Sequence, residues 1–306
     1  MSAVATTAPS HDRTWLWFAL STVVLWGVWG ALSGLTAGPA FPETLVYCVW
    51  ALTMIPPAVF VLWRNGWVVD RTPRAIGYGM AIGLLGAGGQ MLLFHALVDG
   101  PAYFIFPIIS LSPVITIALS FSLLGERTTR VGAVGVVLAL LALPLLDLSL
   151  GDGDADGVGW FVLSLLIMAA WGVQAYFMKR ANADVRAESI FFYMAVGALL
   201  LVPVAWHMTD WTQPIDTGLR GPWLTAAIQV LNAIGALCLV YAFRYGKAIV
   251  VAPLTNAGGP LITAALALLL AGVLPGPLKA VGLVLALIAS VLLAREPERA
   301  PPPAAP

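Results

Sequence analysis

Residues 95–130 read H-A-L-V-D-G-P-A-Y-F-I-F-P-I-I-S-L-S-P-V-I-T-I-A-L-S-F-S-L-L-G-E-R-T-T-R. A polar turn, Asp99-Gly100-Pro101, opens an apolar run about as long as a bilayer is thick, and Gly125-Glu126-Arg127 closes it. Inside the run lie two prolines, Pro107 and Pro113, and four hydroxyls, Ser110, Ser112, Thr116 and Ser120. The same phrase returns at 241–263 as Y-A-F-R-Y-G-K-A-I-V-V-A-P-L-T-N-A-G-G-P-L-I-T. Gly100 matches Gly246, Ala102 matches Ala248 and Pro107 matches Pro253, each 146 positions on. Pro113 and Thr116 match Pro260 and Thr263 at 147, and A-V-G-V-V-L-A-L at 133–140 returns as A-V-G-L-V-L-A-L at 280–287. A period near half the chain length means one structural unit used twice.

Composition sets the solvent. The 306 residues are 60% hydrophobic and 10% charged, with mean hydropathy +0.92. Soluble domains carry about 25% charged residues, so the deficit predicts a polytopic membrane protein. A formal net charge of zero gives no nucleic-acid footprint. Cys48 and Cys238 sit in apolar runs and read as small hydrophobes in helix packing. No small-residue cleavage pattern follows the first apolar segment.

Apolar segments recur at 15–37, 43–64, 74–98, 101–124, 129–148, 157–180, 188–207, 219–244, 248–272 and 277–294. They are continuous rather than alternating, which predicts ten transmembrane helices and excludes barrel strands. With the N-terminus inside, 13 of the 15 basic residues fall on the inner side, leaving Arg220 and Lys279 outside. Both termini are therefore expected in the cytoplasm. The expected organisation is a tail over 1–13, a five-helix repeat over 14–148, an outer linker over 149–156, a second five-helix repeat over 157–294 and a tail over 295–306. The acidic Asp147–Asp156 stretch reads as a solvated linker, since it lacks a calcium-loop pattern. An odd number of spans per unit inserts the second unit upside down, which places a transport site near the midplane between the halves.

These residues carry a resemblance. The phrases A-L-V-D-G-P-A…P…S-P-V-I-T…L-L-G-E-R and A-F-R-Y-G-K-A…A-P-L, with Trp26-Gly27 and Trp171-Gly172 opening each repeat, resemble the EamA family of the drug/metabolite transporter superfamily. The likeness runs over about residues 14–294. It implies a cavity lined by the first, third, fourth, sixth, eighth and ninth spans, and export as the direction. One departure stands out: the ninth span ends in Gly272-Val273-Leu274-Pro275, without the Gly-Glu-Arg of 125–127.

Polar groups within spans mark candidate pathway residues, because a bilayer tolerates them only against protein or water. The substrate-binding candidates are Trp26, Trp29, Gln90, His95, Ser110, Ser112, Trp171, Gln174, Gln229, Asn232 and Asn256. Ser33, Tyr103, Thr116, Tyr176, Tyr241, Thr255 and Thr263 lie in the same six spans. Each has a plainer reading. Tryptophan also marks interfaces, serine and threonine also bond their own helix, and amides also join helices. An amide cannot hide all its donors and acceptors on one helix, which makes Gln90, Gln174, Gln229 and Asn232 the stronger candidates. Gly86, Gly88 and Gly89 permit close helix approach or bending. Pro107, Pro113, Pro253 and Pro260 are hinge candidates, and Gly258-Gly259-Pro260 reads as a helix interruption beside Asn256.

No acid lies in mid-span, and His95 is the one ionisable side chain well inside a span. Glu126, Arg127, Arg244 and Lys247 are expected at the inner surface. His11, His95 and His207 are scattered, so neither a catalytic cluster, a metal nor a cofactor is expected. The expected function is an inner-membrane transporter of small neutral or zwitterionic metabolites, such as amino acids, exported by alternating access. The expected partners are a small-molecule substrate and the lipid bilayer, with a homodimer left open. The alternatives are a sugar or polyol uptake permease and a non-transport membrane sensor or assembly factor.

Overall fold

Helices form where the apolar runs predict them, because only intra-segment hydrogen bonds satisfy a backbone surrounded by hydrocarbon. The structure, a computed structural model, describes residues 13–33, 35, 41–99, 105, 108–147, 159–271 and 276–296. Residues 1–12 and 297–306 of the tails, the linker 149–156, Tyr103, Pro107, residues 272–275 and the side chain of Ser33 lie outside the described residues. Among the described residues the architecture is all-helical. Six helices are long and apolar enough to cross a membrane: Thr14–Leu32, Glu43–Arg64, Pro73–Leu93, Gly159–Ala181, Ala187–Met208 and Leu219–Tyr245. Four shorter apolar helices accompany them, Ile108–Leu123, Arg130–Leu145, Ala248–Thr263 and Pro277–Leu293.

In chain order the elements are α1 (Thr14–Ser33), α2 (Glu43–Thr53), α3 (Ile55–Arg64), α4 (Pro73–Asp99), α5 (Ser112–Leu123), α6 (Arg130–Asp147), α7 (Gly159–Ala181), α8 (Ala187–Leu200), α9 (Val202–Met208), α10 (Leu224–Tyr245), α11 (Ala248–Ala271) and α12 (Pro277–Leu293). Met54 separates α2 from α3 just ahead of Pro56-Pro57, and Leu201 separates α8 from α9 just ahead of Pro203. A proline lacks the N–H that would continue the ladder, so each apolar run is broken into two helices. The two breaks are 147 positions apart, the period of the sequence repeat.

Packing also recurs between halves. α1 packs on α10 and α11, as α7 packs on α4 and α5; α4 packs on α8, as α10 packs on α2; α6 packs on α12. Small residues make these approaches possible. A Cβ on Gly27 would sit 2.4 Å from Ile262 Cβ, and one on Gly172 would sit 2.6 Å from Ile115 Cβ. Such sites let backbones come close, the usual basis of helix association in lipid.

The expected interruption at Gly258-Gly259-Pro260 is absent: α11 runs unbroken through Pro253 and Pro260. Each proline removes one bond, but α1 holds the segment in place. Thr263 Oγ1 donates to Gly27 O at 2.9 Å, and Gly258 packs against Val23. Pro113 differs, because it starts α5 after a turn at Leu111, where the preceding helical residues 108–110 end.

At one end of the bundle the connecting turns are tied by charge. Arg186 donates from N, Nε and Nη2 to the Asp70 carboxylate, and Asp70 N meets Ser189 Oγ at 2.9 Å. Glu126, expected at the inner face of the membrane, is only 4% exposed. It follows Gly125, whose φ of +64° suits glycine, and its Oε2 accepts from Ile249 N at 3.1 Å at the start of α11. Lys179 lies 4.0 Å from its Oε1 and donates to Phe243 O and Gly246 O. Lys247 and Thr129 both bond the buried Glu296 carboxylate. The turn after α5, the end of α7, the α10–α11 turn and the end of α12 are thereby joined.

Candidate functional site

α1 carries Trp26 and Trp29 three residues apart, hence on one face. Trp26 Nε1 donates to Asn232 O at 3.2 Å, and Trp29 Nε1 to Gln229 Oε1 at 2.9 Å. The corresponding bond in the other half runs from Trp171 Nε1 to Gly86 O at 3.3 Å. Room for each indole comes from a glycine: Cβ atoms on Gly235 and Gly89 would fall 2.5 Å and 2.4 Å from Trp26 and Trp171. Thr116 Oγ1 donates to Gly172 O at 3.0 Å, the counterpart of the Thr263–Gly27 bond. These hydroxyls bond the facing helix, not their own, whereas Thr255 bonds its own helix at Val251 O.

The correspondence fails in one region. Gln174, 145 positions after Trp29, donates Nε2 to Ile82 O at 3.1 Å instead of holding a side chain. Trp50 Nε1 donates to Asn232 Oδ1 at 3.1 Å, and the residue 147 positions on is Gly197.

These side chains surround a cavity of about 350 Å³, large enough for a small metabolite. Nine of the eleven expected residues line it: Trp26, Trp29, Gln90, Ser110, Ser112, Trp171, Gln174, Asn232 and Asn256. Gln229 does not; it is buried behind the wall and steadies Trp29. His95 is exposed on α4, away from the lining. Among the hinge candidates, Pro260 lines the cavity, while Pro113 and Pro253 are buried outside the lining.

Reading by spans missed Trp50 and Met54 at the end of α2, and Met194 on α8. These come from the second and seventh spans, two of the four left out of the expected cavity. Met178 on α7 was passed over because a methionine in an apolar helix carries no polar mark. Among the described residues no lining residue is ionisable. The walls therefore offer indole faces, amides, hydroxyls and thioethers. They suit reversible binding of a solute with apolar and polar parts.

The chain also resembles known proteins. The sequence profile of the EamA-like transporter family matches residues 13–146 and again residues 158–295. Protein RarD of Streptomyces exfoliatus is 26% identical over 265 residues, covering 82% of this chain and 77% of that protein. The pseudopaline exporter CntI of Pseudomonas aeruginosa is 28% identical over 214 residues, 70% of this chain and 73% of that one. A solved crystal structure superposes with a TM-score of 0.75 at 18% identity, covering 91% of this chain and 98% of its own, a likeness of fold alone. A multi-pass membrane protein with two matches to one transporter profile, this chain belongs to the EamA-like transporter family of the drug/metabolite transporter superfamily.

Proposed function

We propose that the protein crosses the cell's inner membrane ten times, as two inverted five-helix repeats with both termini in the cytoplasm, and exports small neutral or zwitterionic metabolites by alternating access. Amino acids and related compounds are the cargo class. The observation that carries this reading is the uncharged cavity between the halves, lined by four tryptophans and four amides. Desolvating a net charge there would lack an ionic partner, whereas indole faces and amides suit a solute of balanced charge. The paired contacts Trp26–Asn232 O with Trp171–Gly86 O, and Thr263–Gly27 O with Thr116–Gly172 O, support two copies of one unit. Inverted units of this kind alternate access by rocking about a midplane site. Export agrees with the relative CntI, a pseudopaline exporter. With no ionisable lining group among the described residues to carry a proton, cargo moves down its own gradient.

The purified protein in liposomes, given a panel of labelled amino acids, sugars and polyols, tests the assignment. Saturable movement of amino acids, lost in Trp26→Ala and Trp171→Ala variants that stay folded, is expected. Movement of sugars alone would replace the amino-acid reading with a polyol permease. No movement of any solute would overturn transport of this class.

A further inference from the structure

The hydrogen-bond partners of the cavity amides fix which way round each one sits. An indole N–H only donates, so Asn232 must turn Oδ1 to Trp50 and keep Nδ2 over. A backbone carbonyl only accepts, so Gln174 gives Nε2 to Ile82 O, and Asn256 gives Nδ2 to Ala252 O at 2.9 Å. Both of these keep their carbonyl oxygens over. Among the described residues, the remaining function of each amide has no protein partner. All three line the cavity. They also stand on different walls: Asn232 with Trp26 and Trp50 on α10, α1 and α2; Gln174 beside Gly86 on α7 and α4; Asn256 on α11. The indoles of Trp26, Trp29, Trp50 and Trp171 all spend their N–H on protein acceptors, so their ring faces are what they have left to offer. Asn232 thus presents a donor on one wall and Gln174 and Asn256 present acceptors on the others, while Gln90 on α4, without a partner among the described residues, can turn either end of its amide to the cargo.

Two identical walls could not orient a cargo. This polarity arises where the repeat is broken: Gln174 replaces a tryptophan, Trp50 has glycine as its counterpart, and Asn256 stands in the stretch where the repeat offset changes from 146 to 147. We propose that the cavity selects a zwitterion and holds it in one direction, its carboxylate at Asn232 Nδ2 and its ammonium at Gln174 Oε1 and Asn256 Oδ1. Trp50 is a positioning residue that acts through Asn232. Ammonium groups are favoured by carbonyl oxygens and indole faces together. A carboxylate reversed onto Gln174 and Asn256 would meet oxygens and be repelled. The inference rests on the cavity being the cargo site of an amino-acid transporter.

Labelled leucine uptake in proteoliposomes, competed by two half-charged probes, tests it. Leucine methyl ester keeps only the ammonium; N-acetylleucine keeps only the carboxylate. Trp50→Phe retains a ring but frees the Asn232 amide to turn, so inhibition by N-acetylleucine should weaken roughly five- to tenfold, with the ester within about twofold of wild type. Gln174→Met removes an acceptor, so the ester should weaken roughly tenfold and N-acetylleucine should hold. The ratio of the two inhibitions within one variant does not depend on how much protein folds. Equal losses for both probes in both variants, with leucine still transported, would overturn the polarity and leave the transport assignment standing. Failure of the wild type to move leucine or phenylalanine would overturn both.

Discussion

Gly172 and Gly88 are both helical glycines, yet a side chain would meet opposite surroundings at the two sites. A Cβ on Gly172 would fall 2.7 Å from Ser112 O, a backbone atom that cannot swing aside, while one on Gly88 meets nothing within 4 Å. Gly172→Ala should therefore lower stability by about 1–3 kcal/mol. Gly88→Ala should be neutral or add up to about 1 kcal/mol, since alanine is the better helix former. Melting temperatures in detergent distinguish the two. Asp70 makes a pH prediction at the same scale. The Arg186 hydrogen bond, opposed by burial, holds its carboxyl below the usual carboxylate range. A depressed folded value stabilises at neutral pH, and the gain is lost as pH falls through it. Asp70→Asn should melt earlier than wild type at pH 7, and the gap should close as pH falls below the usual carboxylate range. A gap of constant size would show that the ion pair is not its source. Residue types flagged most of the indoles and amides that line the cavity, because an amide or tryptophan deep in an apolar run has few other uses. Trp50 and Gln229 escaped correct placement because a helix of known sequence still has an unknown rotation.

Among the elements, the two proline-bearing repeats turned out unequal. The phrase S-P-V-I-T opens α5 after a turn at Leu111, while G-P-L-I-T lies within an unbroken α11. Small residues decide the difference: Ala257-Gly258-Gly259 lets α1 pack against α11 and hold it straight enough to continue its ladder. A hinge is thus expected in the first repeat. Pro113→Ala should slow turnover per folded molecule about tenfold or less while keeping substrate binding, because an added N–H can restore a continuous helix. Pro260→Ala should leave turnover within about twofold, since its helix is already continuous. Single-turnover efflux normalised to folded protein reads both. Equal turnover in Pro113→Ala and wild type would remove the hinge. Sequence could locate these helices, whose apolar length is local, but not whether a proline breaks one, which depends on the neighbour.

For the whole molecule, the basic residues and the repeat make one topological prediction. A reporter fused at Pro306 should show cytoplasmic activity, and one inserted at Gly153 periplasmic activity, given that 13 of 15 basic residues fall on one expected side. Cytoplasmic activity at Gly153 would deny the inverted repeat. At this scale the charged turns matter together. Asp70 with Arg186, Glu126 with Lys179, and Glu296 with Lys247 close one end of the bundle. Each pair joins turns far apart in the chain, so the same end must loosen if access alternates there.

The sequence by itself determined the solvent, the helices and the doubling of the unit, because hydropathy, segment length and a period near half the chain are local or additive properties. It also determined that the cavity would be uncharged, since no acid lies in mid-span. Only the tertiary structure decided that Glu126 is buried, that α11 stays whole, that Gln229 backs Trp29, and that Trp50 turns Asn232. Those outcomes depend on which side chain arrives opposite which. A donor or acceptor acquires its direction only when a partner from a distant part of the chain takes the other half of the bond.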